Sequence, residues 1–246
     1  MLKIEHLTKH YGESGRGVTD LTLHVQPGQL CAFIGRNGAG KTTTLKAIAG
    51  IHDFEAGTIS IAGIDLRKDP MGCKRKFAYI PDDPDLFEYL TGIQYLNFVA
   101  DIFRIPAGER REKIETYADA FGIRDALGEL IASYSHGMKQ KLALTGGLIH
   151  DPELLILDEP FVGLDPQAIF TLKGILQDLC ARGGAVFFST HVLDAAEKLC
   201  THAAMIRDGR LVISGKMEDL LKSGRSLESM FLEVDGHAEN ADRSGM

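Results

Sequence analysis

Glycines at 35, 38 and 40 precede a lysine and two hydroxyls in the segment Gly35-Arg36-Asn37-Gly38-Ala39-Gly40-Lys41-Thr42-Thr43, and far downstream Asp158 and Glu159 stand side by side. Glycines so placed let the backbone curl until successive N–H groups face one concavity, and a helix starting there adds partial positive charge. Such a cradle binds phosphate. Lys41 would reach the outer phosphates of a nucleoside triphosphate, and the Thr42 hydroxyl would join a carboxylate on magnesium. Successive residues on a strand point opposite ways, so Asp158 can hold the metal while Glu159 orients an attacking water. An acidic pair that merely solvates a strand end is the alternative, and the glycine-rich loop upstream weighs against it.

These residues need particular elements beneath them. LCAFIG (30–35), LLILDE (154–159) and AVFFST (185–190) are short apolar runs ending in small or polar residues, as strands buried on both faces of a parallel sheet are. The glycine-rich loop follows the first of them and runs into a helical pattern, TTLKAIAG; the acidic pair closes the second; His191 follows the third. All three therefore fall at carboxyl ends, where open α/β sheets bind ligands, and an imidazole there could contact a terminal phosphate or the water. Residues 2–8, 21–25 and 58–62 alternate apolar and polar instead, which predicts a small antiparallel sheet. From Pro84 to about residue 150 the period becomes helical, with Ile93, Leu96, Val99, Ala100 and Phe103 in a first helix closed by Pro106. A second spans Arg111 to Phe121, and a third runs from Met138 through Leu142 to Ile149. Packing accounts for most of these apolar stripes.

Composition narrows the function. A net charge of −7 carries no basic excess for a phosphate backbone, so nucleic acid is not an expected partner. Cys31, Cys73, Cys180 and Cys200 form no C-x-x-C pair, and read as reduced core residues rather than a zinc site or a disulfide framework. No apolar run is long enough for a membrane-spanning helix, and the first residues lack the apolar core of a signal peptide.

The chemistry-bearing segments stand in a fixed order: the glycine-rich loop, Ser135-His136-Gly137-Met138-Lys139-Gln140, Asp158-Glu159, Gly163-Leu164-Asp165, then Ser189-Thr190-His191. That order, over residues 1 to about 235, resembles the nucleotide-binding subunits of ABC transporters. The resemblance implies ATP and Mg2+ as ligands and ATP hydrolysis as the activity. It makes Tyr11 the aromatic that stacks on adenine, Gly35 to Thr43 the phosphate loop, Glu159 the catalytic glutamate and His191 the switch histidine. It also implies a head-to-tail pair of subunits, identical or related, in which Ser135, His136 and Gly137 close on the ATP of the other copy and Gly163, Leu164 and Asp165 communicate across the dimer. On the residues alone, an ordinary N-cap is the prevailing reading of Ser135. A separate membrane-spanning permease would receive the protein at the cytoplasmic face through residues 82–96, which otherwise read as a capped amphipathic helix without a partner. Two departures stand out: Asp82 replaces the family's glutamine, where it could still bind magnesium or its water, and His136 replaces a glycine.

The expected fold is α/β: a P-loop NTPase core with a mainly parallel sheet (1–81 and 150–222), a small antiparallel β subdomain, and an inserted helical subdomain over about 83–149. A short C-terminal element (223–235) and a polar, disordered tail (236–246) follow. The segment 226–234 and the run YSHGMKQK are similar to those of drug, antibiotic or peptide exporters, which favours export over import. A soluble ABC ATPase acting on nucleic acid or ribosomes, and a regulatory module that uses ATP only as a dimer switch, remain as alternatives.

Overall fold

The computed structural model describes residues 1–12, 15–222 and 224–234; the tail expected over 236–246 lies outside them. Six strands form the larger sheet, in the order β10 (Arg210–Lys216), β9 (His202–Arg207), β3 (Leu30–Ile34), β8 (Ala185–Thr190), β7 (Leu154–Asp158) and β6 (Phe77–Ile80). All pairings are parallel except β9 with β10. Every residue of β3, β7 and β8 is buried, as runs without alternation require. β10 lies at the edge and alternates half-buried with exposed residues.

Alternate residues of the central strands feed two separate cores. Leu30, Ala32, Ile34, Leu155 and Leu157 face a cluster shared with the helices, whereas Cys31, Phe33, Leu154 and Ile156 face a cluster shared with a second sheet. That second sheet contains β1 (Leu2–Tyr11), β2 (Arg16–Val25), β4 (Ala56–Ile61) and the short β5 (Ile64–Asp65), all antiparallel. β1 and β2 run longer than the alternation suggests. The ladder between them is irregular after Ile4 and again after Leu7, and His6 and Asp20 adopt positive φ there, so the period of two breaks within each strand. The four cysteines are buried and unpaired.

Between β6 and β7 lie α3 (Gly92–Ile102), α4 (Ala107–Ala120) and α5 (His136–Leu148). α3 opens on a reciprocal cap, the Thr91 hydroxyl accepting from the Gln94 N–H and the Gln94 side chain accepting from the Thr91 N–H. α4 begins four residues before the apolar pattern does, directly after Pro106, because its first turn (Ala107-Gly108-Glu109-Arg110) places no large apolar residue inward; only Ile114 and Ala118 are buried along it. The remaining helices flank the sheet: α1 (Lys41–Ile48), α2 (Pro70–Lys74), α6 (Pro166–Ala181), α7 (Leu193–Leu199), α8 (Met217–Leu221) and α9 over residues 227–234. Among the described residues no helix is long and apolar enough to cross a membrane.

The order β3-β8-β7 brings three strand ends level: Ile34 pairs with Thr190, and Asp158 with Ser189. β3 and β8 are far apart in the chain but adjacent in space, and the crevice of a parallel sheet opens at such a point. The helical insertion depends on its caps. Thr91→Ala removes one bond of the box at α3 and is expected to lower stability by about 1 kcal/mol. Urea unfolding followed by circular dichroism measures this, and an unchanged midpoint would show that the box contributes nothing.

Candidate active site

The glycine-rich loop leaves β3 and turns sharply into α1. At Gly35 a side chain is impossible, since a Cβ would lie 2.7 Å from the Ile206 carbonyl oxygen and 2.8 Å from its Cγ2. Gly40, immediately before α1, has φ 108°, a conformation that favours glycine. α1 therefore presents its first N–H groups and carries no acid in its first turn that would compete for them. Lys41 folds back under the loop, donating to the carbonyls of Gly35 (2.8 Å) and Arg36 (3.3 Å).

Across from the loop, the Thr42 hydroxyl donates to Asp158 Oδ2 at 2.8 Å. The other Asp158 oxygen accepts from the Ser189 hydroxyl at 2.5 Å, and that hydroxyl in turn accepts from the Glu159 N–H at 3.0 Å. Glu159 has φ 46°, an uncommon left-handed conformation for a residue with a long side chain. The turn sends its carboxylate back over the loop, to 3.6 Å from Lys41 Nζ and 3.0 Å from His191 Nδ1. Arg36, Asn37, Gly38, Gly40, Lys41, Thr42, Thr43, Asp82, Asp158 and Glu159 together line a cleft of about 220 Å3. Ala39 turns back onto Arg36, its N–H donating to the Arg36 carbonyl at 3.1 Å, and is itself buried.

The other candidates sit elsewhere. Ser135 begins α5, its hydroxyl accepting from the Met138 N–H at 3.3 Å. Gly137 and His136 pack on the loop after β7: a Cβ on Gly137 would lie 2.6 Å from the Gly163 carbonyl oxygen, and one on Gly163 would lie 2.6 Å from the His136 ring. Leu164 is buried, and Asp165 caps α6 while its carboxylate meets Lys141 at 2.5 Å. That contact, with the cap, holds the Asp165 carboxyl below its usual range. Tyr11 joins neither group. It lies at the end of β1, edge-on to His52 with ring centroids 5.7 Å apart, outside the lining of the cleft. Ser189 is the one member of the polar network whose part was not legible in sequence, since a serine at a strand end carries no distinguishing pattern.

An oxygen-rich pair, Thr42 with Asp158, suits a hard divalent cation such as magnesium. A phosphate chain laid on the loop would meet backbone N–H groups, Lys41 and that cation together, with Glu159 held on the far side by His191. The arrangement can place a water against a terminal phosphate.

The family model described as "ABC transporter" matches residues 18–162. An uncharacterized ABC transporter ATP-binding protein of Nostoc sp. strain PCC 7120 is 38% identical over 207 residues, covering 82% of this chain; the chain spans 60% of that relative's length. The ABC-type transporter ATP-binding protein EcsA of Bacillus subtilis is 31% identical over 238 residues, covering 95% of this chain and 96% of EcsA. A solved structure of an ATP binding subunit of an ABC transporter superposes with a TM-score of 0.91 at 34% identity, covering 96% of this chain and 99% of that one.

Asp82 shares the cleft with two other carboxylates. Burial, then the charges of Asp158 and Glu159, push its carboxyl above the usual range. A raised carboxyl costs stability once ionised, so the cost is present at neutral pH and vanishes as pH falls below the ordinary carboxylate value of about 4. Asp82→Asn is therefore expected to raise the melting temperature at pH 7 by about 1–2 °C and to leave it unchanged near pH 3.5. Melting curves at the two pH values check this, and an equal shift at both would remove the electrostatic cause.

Proposed function

The chain belongs to the ABC transporter family of ATP-binding subunits, and on that premise we propose that it hydrolyses ATP with magnesium and powers a membrane transporter, in the direction of export. The observation that carries the enzymatic part is the placement of the Glu159 carboxylate between Lys41 and His191, over the mouth of the phosphate loop.

The roles follow from position. The loop from Gly35 to Thr43 binds the phosphates through its N–H groups, and Lys41 turns from the carbonyls of Gly35 and Arg36 to the outer phosphates. Thr42 and Asp158 hold magnesium, with Asp82 in reach of the same cleft. Bound there, the ion neutralises charge on the phosphate oxygens. Ser189 fixes Asp158 and the Glu159 N–H together, so that the metal-holding and water-orienting groups keep one spacing. Glu159 accepts a hydrogen bond from the attacking water, and His191 steadies that carboxylate from the solvent side. The water oxygen bonds to the γ-phosphorus as the bond to the bridging oxygen breaks, giving ADP and phosphate; the protein contributes position and charge, with no covalent step of its own.

Tyr11 stacks on adenine. Two subunits, identical or related, pair head to tail, with Ser135, His136 and Gly137 of each closing on the ATP of the other and Gly163 to Asp165 linking the two sites. A separate permease docks at residues 82–96 and holds the subunit at the cytoplasmic face of the membrane. Export rests on the likeness of residues 226–234 and YSHGMKQK to exporter ATPases.

Glu159→Gln is expected to cut ATP turnover by about a hundredfold or more while leaving ATP binding intact. Phosphate release and equilibrium nucleotide binding measure the two separately, and an unchanged rate would take the role from Glu159. Lys41→Ala is expected to weaken ATP binding by about tenfold or more, and normal affinity would count against the cradle. Purification from a detergent extract is expected to bring down a polytopic membrane protein that alters the ATPase rate. Recovery of soluble or ribosomal partners alone would overturn the transport assignment.

A further inference from the structure

We infer that the C-terminal helix α9 is a positioning element for the active site of its own subunit, holding α7 and, through α7, the His191 that contacts Glu159. The inference rests on the ATPase reading above. α7 starts two residues after His191 and has few anchors of its own. It is seven residues long, no side chain caps its N-terminus, and only Ala196 and Leu199 are buried along it. A helix so short does not persist by propensity, and its place is set by what packs on it.

β3 covers one side of α7, and α9 supplies further packing. The chain enters it through a reciprocal cap in which the Ser226 hydroxyl accepts from the Ser229 N–H and the Ser229 hydroxyl accepts from the Ser226 N–H, each at 3.1 Å. Leu227 and Met230 are buried in the same core cluster as Ala196 and Leu199. Both ends of α9 are then tied to the core by charge. The Glu197 carboxylate, on α7, accepts from the Leu227 N–H at 3.0 Å, and the Arg207 guanidinium, at the end of β9, donates to the Val234 carbonyl. An anion at the first turn matches the helix dipole.

α9 also faces the phosphate loop across a cavity. A second cavity, of about 670 Å3, lies beside the loop, bounded by Arg36 to Ala39 on one side and by Phe231 and Val234 on another. Arg36, Asn37 and Gly38 line both this cavity and the phosphate cleft, so the loop is the wall between them. One helix thus packs on the element that follows His191 and lines the space behind the loop that would hold the phosphates.

The test uses the full chain with one end released at a time, Glu197→Ala or Arg207→Ala, and with the retaining changes Glu197→Gln and Arg207→Lys. Each alanine variant is expected to lower ATP turnover by about tenfold with nucleotide affinity changed by less than about twofold. Hydrogen exchange at the amides of residues 192–199 is expected to speed up in the same variants, and the Gln and Lys variants are expected to restore both readouts. Unchanged exchange over α7 in both alanine variants would overturn the inference, as would turnover and affinity falling together. A wild-type chain that hydrolyses no ATP would instead defeat the ATPase reading, and the exchange rates would still decide whether α9 holds α7.

Discussion

A buried ammonium organises this molecule. Lys41 is 6% exposed, and a lysine so deep needs oxygen around it. Two carbonyls of the loop that precedes it supply part of that shell, and the Glu159 carboxylate supplies the countercharge. The first requirement forces the loop to curl over its own lysine, hence glycines where a Cβ would strike Ile206 or where φ turns positive. The second requires the end of β7 to lie beside the end of β3, which the sheet order accomplishes with β8 between them. The two hydrophobic cores, one on each face of that sheet, keep three strand ends level enough for Thr42, Asp158, Ser189 and Glu159 to form one chain of hydrogen bonds.

The helical insertion is joined to this centre by polar contacts along α5. Lys139 meets Glu88 and Lys141 meets Asp165, each at 2.5 Å, while His136 lies 3.6 Å from Asp83. Exposed pairs of this kind add little stability singly, but these link one helix to two different loops. One of those loops carries Asp82 in the cleft, and the other follows Glu159. His136 also fills the face of Gly163, so it is a packing element between α5 and the loop after β7.

Much of this was legible in the chain, for reasons that differ by element. β3, β7 and β8 declared themselves because strands covered on both faces need unbroken apolar runs, and the glycine-rich loop because few backbones need that glycine spacing. The full lengths of β1 and β2 were hidden by their bulges, and the start of α4 by a first turn with nothing apolar to bury. The contact of Glu159 with His191 could be anticipated only as two strand ends facing one site; its directness depends on a backbone reversal at Glu159 that no propensity announces. Ser189 and the tying of α9 to Glu197 and Arg207 were illegible, being pairings of residues far apart in sequence with no pattern to single them out.

The left-handed backbone at Glu159 sets the carboxylate of the cleft against the stability of the chain that carries it. A glycine would occupy that φ without steric penalty, so the position holds its carboxylate at a standing conformational cost, of the order of 1 kcal/mol. The substitution that would relax the backbone most is one nucleotide change away from a glutamate codon, and it is also one that removes the carboxylate. Design against unfavourable dihedrals would therefore count Glu159 among the left-handed positions to relax, and there, unlike at Ala62, it would delete a carboxylate held between Lys41 and His191.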